Sequence, residues 1–94
     1  MDEYRVVFSG LLKQKVLKLG GKARSEGRLK EAKAVFKMVM ENLRVKPKSI
    51  GELLYHLKHS GWPVFHVAHV PWSIHFVVDD ERRHVYLSNI ALMS

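Results

Sequence analysis

The chain has 94 residues, no cysteine, 47% hydrophobic residues and a net charge of +7 at pH 7. Its apolar residues come in short periodic runs, well below the roughly 18 consecutive ones that a membrane span requires, and the lack of cysteine excludes a disulfide framework and thiolate metal sites. The length suits one core and hence a single domain over residues 1–94, held together by packing alone.

The excess charge is confined to residues 1–47, which hold 12 Lys/Arg against 5 Asp/Glu, whereas residues 48–94 hold four of each. All six histidines lie in that second half, where they add charge only as pH falls towards their ordinary pKa of about 6.5. The opening Met1-Asp2-Glu3-Tyr4-Arg5 has neither an apolar signal core nor a cleavage site, so a cytoplasmic, membrane-free protein is expected.

Tyr4 to Phe8 is short, β-branched and aromatic and reads as a strand, with Ser9 placed to cap the helix that follows. In that helix Leu12, Val16, Leu19 and Ala23 share one buried face, and Lys15, Lys18 and Lys22 share the neighbouring one. Gly20-Gly21 weakens the pattern by about 1 kcal/mol per glycine, so a bend or an end is expected there.

Ser25-Glu26-Gly27 reads as a turn into a second helix with an apolar stripe of Leu29, Ala32, Phe36, Val39, Met40 and Leu43. Lys30, Lys33, Lys37 and Arg44 line its adjacent face, and Pro47 disfavours helical geometry at Lys46 and ends it.

From Ile50 the period becomes that of strands. Four are expected, over Glu52–Lys58, Val64–Val70, Ser73–Val78 and Arg83–Ile90, with breaks at Ser60–Pro63, Pro71-Trp72 and Asp79–Glu81. Short connections favour an antiparallel meander. Ile74, Phe76 and Val78 should face the helices, leaving Ser73, His75 and Val77 on the opposite, accessible face. The resulting fold class is α+β, with an N-terminal strand, a two-helix hairpin and an antiparallel sheet of about four further strands.

This order in a basic chain resembles the RelE/ParE superfamily of toxins from type II toxin-antitoxin systems. The resemblance is carried by Tyr4-Arg5-Val6-Val7-Phe8-Ser9, by Pro47 with Gly51-Glu52-Leu53-Leu54, and by Ser73 to Asp80 followed by Val85-Tyr86-Leu87. It implies either ribosome-dependent mRNA cleavage or gyrase poisoning, and a cognate antitoxin folded over the groove between hairpin and sheet. Fold alone does not choose between the two activities.

RNA cleavage of this kind needs a base near the ribose 2′-OH, cations around the phosphate and an acid for the leaving oxygen. The match to such nucleases is incomplete: Ser73 stands where an arginine is common, and the chain ends Asn89-Ile90-Ala91-Leu92-Met93-Ser94 where catalytic Arg, His or Tyr residues are common. Glu52 matches a base of some relatives, and Lys58, His75, His84 and Tyr86 are the candidates to replace the missing groups.

Each feature also has a plainer reading. The helix cations, Lys15, Lys18, Lys22, Lys30, Lys33, Lys37 and Arg44, form either solvated faces or a footprint for nucleic acid or an acidic partner. Glu52 is otherwise a surface carboxylate, and Trp62 and Trp72 either stack on bases or cover the edge of the sheet. His66 and His69 should point to opposite faces, and no carboxylate cluster accompanies the histidines, so neither metal nor cofactor is expected. The alternatives to a toxin with degraded catalytic residues are a non-catalytic basic binding module and a gyrase inhibitor.

Overall fold

A computed structural model describes residues 3–93. The elements run β1 (Arg5–Val7), α1 (Gly10–Ser25), α2 (Leu29–Val45), a single helical turn α3 (Pro47–Ile50), β2 (Glu52–His56), β3 (Pro63–His69), β4 (Trp72–Asp79) and β5 (His84–Leu92). The α+β layout of strand, helical hairpin and mostly antiparallel sheet is therefore as expected.

One five-stranded sheet has the order β1-β5-β4-β3-β2. Strands β2 to β5 form the antiparallel meander, and β1 closes the far side by running parallel to β5, with Val6 opposite Val85. Two bulges interrupt the ladders, between Leu53 and Tyr55 on β2 and opposite His75/Phe76 on β4.

The two helices lie on one face of this sheet. Ile74, Phe76 and Val78 alternate towards them and are fully buried with Val39, Leu43, Val85 and Ile90 in a single cluster. Burying each such side chain contributes about 1.5–3 kcal/mol. Val16, Leu19, Phe36 and Met40 pack around the cluster's edge. Trp72 ties the two layers together, its indole N–H donating to the Ala32 carbonyl of α2 at 2.8 Å.

Local signals set the helix ends. The Ser9 hydroxyl accepts from the Leu12 N–H at 3.1 Å, which caps α1. At the other end Gly27 adopts a left-handed φ of 73°, and the Gly27 and Arg28 amides return to the carbonyls of Arg24 and Ala23. This is the capping arrangement that glycine permits without a Cβ clash, and it makes Ser25-Glu26-Gly27 the turn of the hairpin.

Several boundaries differ from the sequence reading. Gly20 and Gly21 do not end α1, because docking of Leu12 and Ala23 on the core outweighs their low helix propensity. Pro47 ends α2 but starts α3, occupying the first helical position where its missing N–H is not needed.

β2 stops at His56, since Leu57 already belongs to the turn that pairs it with Trp62 and Gly61. Trp72 is the first residue of β4 rather than part of a break, and β5 continues to Leu92 because β4 remains paired with it to that point. The inferred break Ser60–Pro63 gives up Pro63 to β3, an edge-compatible first strand position.

Candidate functional site

The face of the sheet away from the helices gathers most of the chemistry. β-Strand alternation puts Ser73, His75 and Val77 of β4 on this face, opposite the buried Ile74, Phe76 and Val78. Register then aligns Glu52, His66, His75 and Asn89 in one row across β2, β3, β4 and β5.

Within that row the imidazoles of His66 and His75 lie with ring centroids 4.6 Å apart. His66 Nε2 and the Ser73 hydroxyl share a hydrogen bond of 2.7 Å. Burial, and secondarily the neighbouring His66, lowers the His75 pKa below its ordinary 6.5. Its imidazole is consequently neutral at pH 7 and able to accept a proton.

A second group lies further along β5. His84 Nδ1 and the Tyr86 hydroxyl share a hydrogen bond of 3.0 Å, and the Tyr86 ring stacks on Trp62 with centroids 5.8 Å apart and an interplanar angle of 4°. Val77 sits opposite Tyr86 and Val64 opposite Val77, forming an apolar floor between the two groups.

The sequence-derived catalytic candidates are only partly brought together. Glu52 is exposed at the open edge of the sheet but in line with His75; His75 is half-buried on the same face; His84 and Tyr86 pair with each other. Lys58 lies apart, exposed in the β2–β3 turn.

Arg82 was not among those candidates. It sits two positions before His84, with its guanidinium held 3.0 Å from the buried Asp79 carboxylate while its side chain stays 62% exposed. The Asp79 carboxyl also accepts from the Glu81 and Arg82 amides. Desolvation pushes the Asp79 pKa up, but the Arg82 side chain and these amides outweigh it, and the net shift is downward. An Asp followed three residues later by Arg inside a hairpin turn is the sequence signal for such a pinned cation.

The aromatic readings divide. Trp62 stacks on Tyr86 on the open face, whereas Trp72 is buried against the helices. His66, set aside as half of a poor chelate with His69, is the partner of His75 instead. Among the described residues no group of three or more His, Cys, Asp or Glu is placed to hold a metal.

The helix cations lie in the other layer. Lys18, Lys22, Lys30, Lys33 and Lys37 are exposed on α1 and α2. Lys15 reaches the sheet, its ammonium donating to Asn89 Oδ1 at 2.8 Å, and Arg44 pairs with Glu3 at 3.2 Å.

Between α1 and α2 runs an apolar groove of about 430 Å³ with Trp72 and Phe36 as its floor, Gly20 and Gly21 on one wall, and Arg24 and Lys33 at its rim. The glycine pair opens this groove because no side chains fill it there. It lies between the two helices, over Trp72 of the sheet.

Comparison with protein-family models, curated proteins and solved structures finds no match. No helix among the described residues is long and apolar enough to cross a membrane.

Proposed function

We propose that the chain is a toxin or toxin-derived protein of the RelE/ParE kind that acts on RNA through the exposed face of its sheet. The observation that carries this reading is the placement of the half-buried His75 imidazole on the same open face as the His84–Tyr86 pair. The strand, hairpin and meander order supports it independently.

In this reading His75, with Glu52 beyond His66 at the end of the row, takes the proton of a ribose 2′-OH. The 2′-oxygen attacks the adjacent phosphorus, the bond to the 5′-oxygen breaks, and the leaving oxygen receives a proton from the His84–Tyr86 pair. The products are a 2′,3′-cyclic phosphate and a 5′-hydroxyl. Arg82 supplies the positive charge that Ser73 does not, and the Trp62–Tyr86 stack gives a base an aromatic surface. A purified translation system tests this by mapping new mRNA 5′ ends, which should fall sharply with His75→Ala and with Tyr86→Phe.

A second reading, a non-catalytic binding module, draws on the exposed lysines of α1 and α2 and the cation-rimmed groove between them. An acidic amphipathic segment, such as that of an antitoxin, complements both features. Lys30→Gln, Lys33→Gln and Lys37→Gln together should weaken partner or nucleic-acid binding and flatten its salt dependence. If the target is gyrase, the corresponding signal is trapped cleaved DNA.

A further inference from the structure

We infer that β2 is a self-association edge, joining two copies of the chain through antiparallel addition of β2 to its own symmetry mate. The inference rests on the unpaired edge of β2 and not on the chemistry proposed above, although Glu52 belongs to both. β2 is the last strand in the sheet order, so its outer backbone edge has no strand beside it among the described residues.

The side chains on this edge are unusual for one left in water. Leu53, Leu54, Tyr55 and Leu57 are 48%, 46%, 57% and 36% exposed, and every residue of the strand is exposed. Soluble proteins ordinarily blunt such an edge with charges or proline, because it templates pairing with another chain. Here the charges stand only at the two ends, Glu52 at the start and Lys58 just past the finish. The opposite edge strand, β1, is only three residues long and offers no comparable surface.

That charge distribution selects the occupant and its direction. In antiparallel self-pairing about a two-fold axis, Glu52 of one protomer lies beside Lys58 of its partner at both ends, and the leucines and Tyr55 meet in the middle. Parallel pairing instead sets like charges together. The Leu53–Tyr55 bulge twists the strand locally and limits the run of pairing to a short stretch, which favours a reversible dimer over an open fibre. The result is one continuous ten-stranded sheet, with each His66–His75 pair on the second and third strands from the seam.

Sedimentation of the full chain over about a hundredfold dilution series tests the proposal. The expected result is twice the chain mass at high concentration, falling to a monomer on dilution. Leu54→Lys should give a monomer at all concentrations with an unchanged circular dichroism spectrum and the unfolding midpoint of the dilute, monomeric wild type.

Glu52→Lys should weaken dimerisation about tenfold by placing like charges at both ends, and adding Lys58→Glu should restore it. A wild-type monomer throughout the series overturns the proposal and leaves the edge to a strand from a different protein. A dimer that survives Leu54→Lys, or charge reversals without rescue, overturns it equally by placing the interface elsewhere.

Discussion

The Tyr4 hydroxyl donates to Asp80 Oδ1 at 2.6 Å, joining the first strand to the β4–β5 turn across 76 positions of sequence. Lys48 of α3 donates to the other Asp80 oxygen at 2.9 Å, and the Arg83 guanidinium lies over the Tyr4 ring, 5.3 Å from its centroid. Two separate segments thus close on the carboxylate of a third. Tyr4→Phe should cost about 1 kcal/mol, because the hydroxyl is lost while Lys48 still serves the half-exposed Asp80. The midpoint of urea unfolding measures it.

The same contact governs behaviour in acid. The Tyr4 hydrogen bond, then that of Lys48, lowers the Asp80 pKa below its ordinary 3.8. A carboxyl that is more acidic when folded contributes stability that is complete above the unfolded value and is lost as pH falls through the folded one. Asp80→Asn should therefore flatten the loss of stability below about pH 4, a change visible in acid titrations followed by tryptophan fluorescence.

His75 gives the opposite side of neutrality a similar dependence. Burial lowers its pKa below 6.5, so the unfolded chain binds a proton first and stability declines as pH drops below that value. The His66 ring lies 4.6 Å from the His75 ring, and Asn89, whose amide oxygen accepts from Lys15, stands opposite His75 in register on β5. His75→Gln should remove this part of the decline, while leaving the carboxylate-driven loss at lower pH in place. Denaturant midpoints at about pH 7.5 and about pH 5.5 separate the two.

Two glycines should respond oppositely to alanine. Gly21 lies inside α1 with nothing within 4 Å of a Cβ, so Gly21→Ala should stabilise by about 0.5–1 kcal/mol. At Gly51 a Cβ would lie 3.0 Å from the His66 carbonyl oxygen and 3.0 Å from a Phe76 ring carbon. Gly51→Ala should destabilise by about 1–3 kcal/mol, since the backbone of β3 must move. Thermal midpoints of the two variants should shift in opposite directions.

In the core, Leu43 and Phe76 have no exposed surface. Leu43→Ala should cost about 2–5 kcal/mol and Phe76→Ala about 3–5 kcal/mol, each by loss of transfer energy plus a residual cavity. Chemical denaturation gives both values directly.

The layered fold was legible because periodicity and burial coincide: Leu12, Ala23, Val39 and Leu43 on the helices, and Ile74, Phe76 and Val78 on β4, all enter one cluster. Misplaced boundaries arose where tertiary pairing overrides local signals. Gly20-Gly21 stays helical because its neighbours are docked, and Trp72 joins a strand because its indole is held by Ala32.

The candidate site was legible only as residue types on a face. His75 could be assigned to the open face from alternation alone, but its contact with His66 depends on the β3–β4 register, which alternation within one strand does not fix. The residues behind the family resemblance have clear structural work. Tyr4 and Asp80 lock the sheet's end, Asp79 holds the turn, and Gly51 admits the close approach of Phe76. They specify the scaffold more than the chemistry on it.

The central claim, that the open sheet face carries RNA cleavage, is tested most directly by mapping mRNA 5′ ends in a purified translation system. Wild type, a His75→Ala, His84→Ala, Tyr86→Phe triple variant, and a Lys30→Gln, Lys33→Gln, Lys37→Gln triple variant should be run side by side. The account predicts new 5′ ends with wild type and with the lysine variant, and none with the sheet-face variant. Absence of new ends with wild type, or cleavage that the sheet-face variant retains in full, contradicts it.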